Sequence, residues 1–170
     1  SLCGLGIVYE AKGEYRKAIE YQNRSLRVVQ NVGDRFREVK VLNSLGMIYF
    51  NLGENENSLL SHEKSIVIAK QIGDKRGEAI GLGNLASLYA SEGNYHKAIT
   101  SYLQSIQISE ELGDLRNKSI HLGNLGNVYK LDGKHSKAIK VYEDSIDTAK
   151  EIGDKRTEGV YLGNLGDIYC

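Results

Sequence analysis

The chain has 170 residues, with 22 Lys and Arg balancing 22 Asp and Glu, 41% hydrophobic residues, 19 Gly and no Pro or Trp. A zero net charge gives no electrostatic reason to bind nucleic acid, since there is no basic excess to neutralise phosphates. No apolar run approaches the roughly 20 residues that a membrane-spanning helix needs, so no membrane role is expected.

Read in chain order, the first element is a helix over 1–12, carrying Leu2, Leu5 and Tyr9 at helical spacing. Further helices are predicted over 15–32, 35–52, 55–72, 75–92, 95–112, 115–132, 135–152 and 155–170. Their order follows a repeat. Leu-x-x-Leu-Gly starts at Leu2, Leu42, Leu122 and Leu162, with Leu82 to Ala86 as a variant, every start 40 residues after the last. Tyr9, Tyr49, Tyr89, Tyr129 and Tyr169 follow in register, then Gly13, Gly53, Gly93 and Gly133. Gly-Asp closes each unit at Gly33, Gly73, Gly113 and Gly153. A glycine just past a helix takes positive φ without a Cβ penalty. The following Asp can cap the free N–H groups of the next helix. Gly6, Ala86 and Gly126 are expected to let paired helices approach closely. Neither helix of a pair buries its apolar face alone, so the units must stack.

The repeated set Leu82, Leu85, Ala86, Tyr89, Ala98 and Tyr102, echoed by Leu122, Leu125, Gly126, Tyr129, Ala138 and Tyr142, resembles the tetratricopeptide repeat over the whole length. The resemblance implies an all-α, right-handed superhelix of antiparallel helix pairs. Its repeats fall at about 1–34, 35–74, 75–114 and 115–154, followed by an unpaired first-type helix at 155–170. The 40-residue unit exceeds the usual 34 of this repeat and lacks its proline, so longer helices are expected. The Leu-Gly-Asn-Leu-Gly block and the Ile-Gly-Asp-Lys-Arg junction at Ile152–Arg156 resemble the arrays of G-protein-signalling modulators, the spindle-orientation adaptors.

In such arrays the first helix of each pair lines a groove that grips extended peptides. Carried onto this chain, the groove row is Ser44, Asn84, Asn124 and Asn164, with Met47, Ser87, Asn127 and Asp167 one turn on and Ile80 and Ile120 one turn before. An Asn amide both donates and accepts, so it can bond a peptide N–H and C=O together. Against this stands the reading that the asparagines satisfy neighbouring helix ends or face solvent, their register inherited by duplication. The adaptors' ligand-facing arginines are replaced by Ile80, Ile120 and Val160, with Lys40 the basic exception, which favours a ligand with apolar side chains. Chaperone-tail clamping fails, because Asn43, Gly83 and Gly123 stand where Lys or Arg is required. The junction cations Lys75, Arg76, Arg116, Lys155 and Arg156 are expected on a solvated face. The serines at 25, 65, 105 and 145 read as buried helix contacts rather than phosphosites.

No chemistry is expected. Gly81 to Ala86 matches a dinucleotide fingerprint but lies inside a predicted helix rather than between strand and helix. His62-Glu63 lacks the second histidine of a zinc-protease helix, since Ile66 stands there. His96, His121 and His135 occupy scattered repeat positions, with His135 in the slot of Tyr15 and Tyr95 as a packing substitute. Cys3 and Cys170 lie at opposite ends, so neither a disulfide framework nor a zinc site is expected. The Asn23 and Asn117 sequons carry no weight without a secretory signal. The expectation is therefore a non-enzymatic, cytoplasmic protein–protein interaction scaffold in signalling, without cofactor or metal, and a piece of a longer protein. The alternatives are a structural spacer and an intramolecular regulatory segment. The second unit, with Asn55, Asn57, Ser58 and His62, is expected to be the weakest. The helix at 155–170 should expose Leu165, Ile168 and Tyr169 and drive self-association.

Overall fold

The computed structural model describes residues 2–169, with side chains from Gly4 onward, so the readings for Cys3 and Cys170 lie outside the described residues. Within that span the chain is all helix and turn, with α1 (Leu2–Ala11), α2 (Tyr15–Asn31), α3 (Arg35–Asn51), α4 (Asn55–Ile72), α5 (Lys75–Ser91), α6 (Tyr95–Glu111), α7 (Leu115–Leu131), α8 (His135–Glu151) and α9 (Lys155–Tyr169). This is an all-α repeat fold, and its helix ends fall within a residue or two of the predicted ones. Two compact units divide the chain, residues 1–84 and residues 85–170.

The punctuation works as the sequence implies. Gly13, Gly33, Gly53, Gly73, Gly93, Gly113, Gly133 and Gly153 all have φ between 63° and 76°, the left-handed region that other residues resist. After the second helix of each pair, the Asp caps the next first-type helix. Asp34 accepts from the Arg37 N–H at 3.0 Å, Asp74 from Gly77 at 2.9 Å, Asp114 from Asn117 at 3.2 Å and Asp154 from Thr157 at 3.1 Å. Each such cap is worth about 1 kcal/mol.

In the first unit Val39, Leu42, Ile68 and Ala69 form a buried cluster between α3 and α4, with Leu26 of α2 against it. In the second unit Ala86, Ala98, Tyr102, Ile106, Leu122, Leu125 and Val128 form one cluster. Ala138, Tyr142, Ile146 and Tyr161 form another. Ala at 18, 98 and 138 is fully buried in the second helix of its pair, the tightest recurring contact. At the end of the pair joined by the turn, Lys17, Lys97 and Lys137 lie over the rings of Tyr9, Tyr89 and Tyr129 at 5.2–5.7 Å. The second repeat has Asn57 at that position and forgoes the cation–π contact.

The small residues each receive a side chain of the paired helix. A Cβ at Gly6 would meet the Gln22 side chain, one at Gly46 the His62 ring and one at Gly126 the Tyr142 ring, at 2.4–2.9 Å. The glycines are sockets for a side chain of the paired helix. Gly123 is a further socket, which takes a side chain from the later first-type helix α9, for a Cβ there would come within 2.0–2.3 Å of the Tyr161 ring.

Three further differences matter. Leu165 and Ile168 of α9 pack against the cluster of Tyr142 and Tyr161, so the exposed apolar residues there are Val160, Leu162 and Tyr169. The open face is thus the opposite side of the helix, where Gly159, Gly163 and Gly166 have nothing within 4 Å of an added Cβ. His135 is exposed where Tyr15 and Tyr95 are half-buried, so it does not replace their packing. The second repeat carries buried polar groups without partners, since Ser58 Oγ and His62 Nε2 have none among the described residues.

Candidate functional site

The predicted row lies on first-type helices at half-buried positions. Ser44, Asn84, Asn124, Asn164, Ser87, Asn127, Ile80 and Ile120 are all partly exposed, and Asp167 is exposed. A helix face four residues wide brings 120, 124 and 127 together on α7, and 160, 164 and 167 on α9. In the second unit α7 and α9 pack on each other directly, which puts Asn164 beside Asn127.

Behind the row stands a set of tyrosines that the sequence reading did not assign to the site. Tyr102 of α6 bonds Ser87 Oγ at 2.6 Å and also reaches Asn124. Tyr142 of α8 donates to Asn127 Oδ1 at 2.6 Å. Tyr161 of α9 shares its hydroxyl proton between Asn124 Oδ1 at 3.0 Å and the Ile120 carbonyl at 3.2 Å. Asn164 Nδ2 donates to Asn127 Oδ1 at 3.0 Å. In the first unit Gln22 plays the same part, donating from Nε2 to Ser44 Oγ at 2.9 Å. The signal was available, because residues 22, 62, 102 and 142 share one repeat position, and each is polar at its tip.

This changes what the row offers. The Asn127 carbonyl accepts two donors, which uses both of its lone pairs. The Asn124 carbonyl is likewise engaged. The bidentate amide of the sequence reading is therefore reduced at Asn127 to a donor, its –NH₂ group. Asp167 is paired with Lys130 at 3.4 Å, so its charge is partly answered within the unit. Ring contacts stiffen the backing, with Tyr142 and Tyr161 stacked at a centroid distance of 6.0 Å. Burial raises the pKa of Tyr102 and Tyr161 and pushes Tyr142 up to about 12, so the hydroxyls remain protonated donors at neutral pH.

The Gly123 socket also shows why a cationic clamp has no place at that position. Tyr161 occupies the space a longer side chain would need, and it is 6% exposed. In the first unit the corresponding Asn43 turns inward, its Nδ2 donating to the Gly77 carbonyl at 3.4 Å and its Oδ1 facing His62 Nδ1. A cavity of about 200 Å³ opens beside it, lined by Val39, Lys40, Arg76 and Ile80 among others. Its walls are apolar and its rim carries two cations and Asp74, whose carboxylate already caps α5. A larger groove of about 440 Å³ runs over Leu26, Leu42, Leu60, Val67 and Ile68 of α2, α3 and α4.

Ser105 and His121 form a close hydroxyl–imidazole pair inside the second unit. Ser105 Oγ lies 2.7 Å from His121 Nδ1, but Ser105 is fully buried, so no substrate reaches it. Burial lowers the pKa of His121, as of His62, to about 4, with Asp114 opposing the shift at His121. Ser65 and Ser145 are fully buried, and Ser25 is 7% exposed. Their hydroxyls serve helix contacts: Ser65 donates to the Val39 carbonyl, and Ser145 and Ser119 exchange bonds to each other's carbonyls at 2.7 and 3.0 Å. Among the described residues no group of three or more His, Cys, Asp or Glu is placed to hold a metal. No described helix is long and apolar enough to cross a membrane.

Comparison with known proteins follows this geometry. The profile of the tetratricopeptide repeat matches residues 1–71, 37–111 and 77–151, in steps close to the 40-residue register. No curated protein matches the chain in sequence. Among solved structures, aspartyl phosphate phosphatase F from Bacillus subtilis matches with a TM-score of 0.89 at 15% identity, over 98% of this chain and 43% of that one. A signal-transduction ATPase with a tetratricopeptide-repeat sensor from Pyrococcus horikoshii matches with a TM-score of 0.87 at 22% identity, over 99% and 26%. A Rap protein complexed with competence and sporulation factor matches with a TM-score of 0.86 at 14% identity, over 99% and 47%. The chain spans less than half the length of each.

Proposed function

The chain belongs to the tetratricopeptide-repeat family, and from that premise we propose that it is a protein–protein interaction scaffold that holds a partner's peptide against its first-type helices. The observation that carries the reading is the recurrence of half-buried Ser and Asn at two registers one turn apart, with the oxygens of Ser44, Ser87, Asn124 and Asn127 each bonded to a side chain of another helix. Asn is a poor helix-interior residue, so a column of them asks for a use. Fixed donors spaced along successive helices suit the carbonyls of an extended backbone, and Ile80 and Ile120 beside them suit apolar side chains of the ligand. The similar Rap protein was solved in complex with a factor, and the similar ATPase carries its repeats as a sensor. These likenesses support a signalling setting. The scaffold is proposed as a single array with repeats at about 1–34, 35–74, 75–114 and 115–154, without catalytic residues or cofactor.

The test is peptide-library capture by the wild-type chain and by an Asn84→Ala/Asn124→Ala/Asn164→Ala variant, with folding checked by circular dichroism. Enrichment by the wild type that the folded variant loses supports the groove. Capture by neither, or the same set captured by both, transfers the reading to a structural spacer or a segment that closes on another part of a longer protein.

A further inference from the structure

Asn127 stands out among the row because its hydrogen bonds are fully assigned on one side. Tyr142 is wholly buried, and its ring sits in the socket at Gly126, where a Cβ would come within 2.5 Å of the ring. From there its hydroxyl reaches Asn127 Oδ1 at 2.6 Å. A buried hydroxyl must donate somewhere, and the amide oxygen is the acceptor in reach. The opposite amide orientation would set the Asn127 –NH₂ against the Tyr142 hydroxyl and give up the 2.6 Å bond from the phenol to the amide oxygen. Asn164 Nδ2 takes the second lone pair of the same oxygen, tying α9 to α7 at this point. The bond to Asn164 would survive a joint turn of both amides, so it is the Tyr142 hydroxyl that sets which atom of Asn127 faces inward.

We propose that Tyr142 is a positioning residue that locks Asn127 as a donor-only contact, so that this part of the groove selects a ligand offering a backbone carbonyl or carboxylate oxygen. This rests on the reading of the groove as a peptide site and narrows the ligand to acceptors at that position. The equivalent position of the preceding repeat lacks this selectivity, because Tyr102 meets Ser87, whose hydroxyl donates or accepts as the partner requires. The row therefore changes character along the second unit, from an adaptable hydroxyl to a fixed donor. The phenol supports the assignment by staying protonated, its pKa raised by burial to about 12.

Two conservative variants separate orientation from packing. Tyr142→Phe keeps the ring in its socket and removes the hydroxyl, which leaves Asn127 tied to Asn164 alone, so that the two amides can turn together. Asn127→Asp keeps an acceptor for Tyr142 and Asn164 but removes the –NH₂ donors. The first readout needs no ligand, since the Asn127 side-chain amide protons are followed by ¹⁵N NMR. In the wild type they should form one well-dispersed pair, which shifts as the second orientation becomes populated in Tyr142→Phe; an unchanged pair overturns the proposal. The second readout is binding of peptides enriched by the wild type from a displayed library of random linear sequences. Tyr142→Phe should bind them about fivefold more weakly, the loss expected when one contact side chain is no longer pre-ordered. Asn127→Asp should lose them, and restoring the donor as Asn127→Gln should recover part of the affinity. Equal binding by wild type and both variants overturns the proposal while leaving the groove reading intact. If the wild type enriches nothing, the groove reading fails and the amide spectrum alone decides whether Tyr142 orients Asn127.

Discussion

Acidification should loosen the first unit through His62. This imidazole is 1% exposed, fills the socket at Gly46, faces Asn43 Oδ1 through Nδ1 at 3.4 Å and leaves Nε2 without a partner. Burial lowers its pKa from 6.5 to about 4, because the charged form cannot be solvated there. The unfolded chain therefore binds a proton near pH 6.5 that the folded chain refuses until about pH 4. Stability that is complete above the unfolded value is lost as pH falls through this window, and the loss levels off below it. One pKa unit is worth about 1.36 kcal/mol, and at about pH 5 the difference in protonation amounts to roughly 1.5 units, or about 2 kcal/mol. The assay is urea denaturation at about pH 7.5 and about pH 5, on the wild type and on His62→Phe. The phenyl ring suits the same socket, removes the partnerless nitrogen and cannot titrate. The variant should be more stable at neutral pH by about 1–2 kcal/mol, the cost of an unpaired buried polar group. Its pH-dependent loss should be smaller than that of the wild type by about 2 kcal/mol. An identical pH dependence in the two proteins refutes the reasoning. His121, lowered to about 4 in the second unit, should add a similar loss there.

Other predictions follow from the sockets, the caps and the second repeat. Gly126→Ala places a methyl 2.5 Å from the Tyr142 ring and should cost about 1–3 kcal/mol in denaturation, whereas Gly163→Ala meets nothing and should gain up to about 1 kcal/mol from helix propensity. Asp114→Ala should remove the α7 cap and about 1 kcal/mol, checked by thermal unfolding. Amide exchange should be faster across α4 than across α6, since Ser58 and His62 carry polar atoms without partners while Tyr102 is bonded; equal protection refutes this. Self-association through the exposed Val160, Leu162 and Tyr169 should fall on Leu162→Lys, measured as average mass by sedimentation.

The helices were legible because every boundary is written in a residue type that suits one backbone state. Gly113 at φ 63° ends α6 and Asp114 starts α7, and the same pair recurs in register. The helix-facing row was legible too, since Asn124 and Asn127 lie three apart on one helix. What occupies their oxygens was not, because Tyr142 is 15 residues from Asn127 and Tyr161 is 37 from Asn124. Periodicity says which face a residue shares, not which of two faces a side chain crosses between. The same limit explains Gly126 and Gly123. A small residue signals a near neighbour, but whether backbone, Tyr142 or Tyr161 fills the space depends on packing between helices. An unpaired first-type helix implies open Leu165 and Ile168, yet Tyr142 and its neighbours on α8 cover that side.

The most direct test of the scaffold account is chemical-shift mapping of the chain with a peptide enriched from the library. The account predicts changes concentrated at Ile120, Asn124, Asn127 and Asn164, with the Asn127 side-chain amide among the largest. Changes centred instead on Leu60 and Val67 in the groove over α2, α3 and α4, with the asparagine row still, would contradict it.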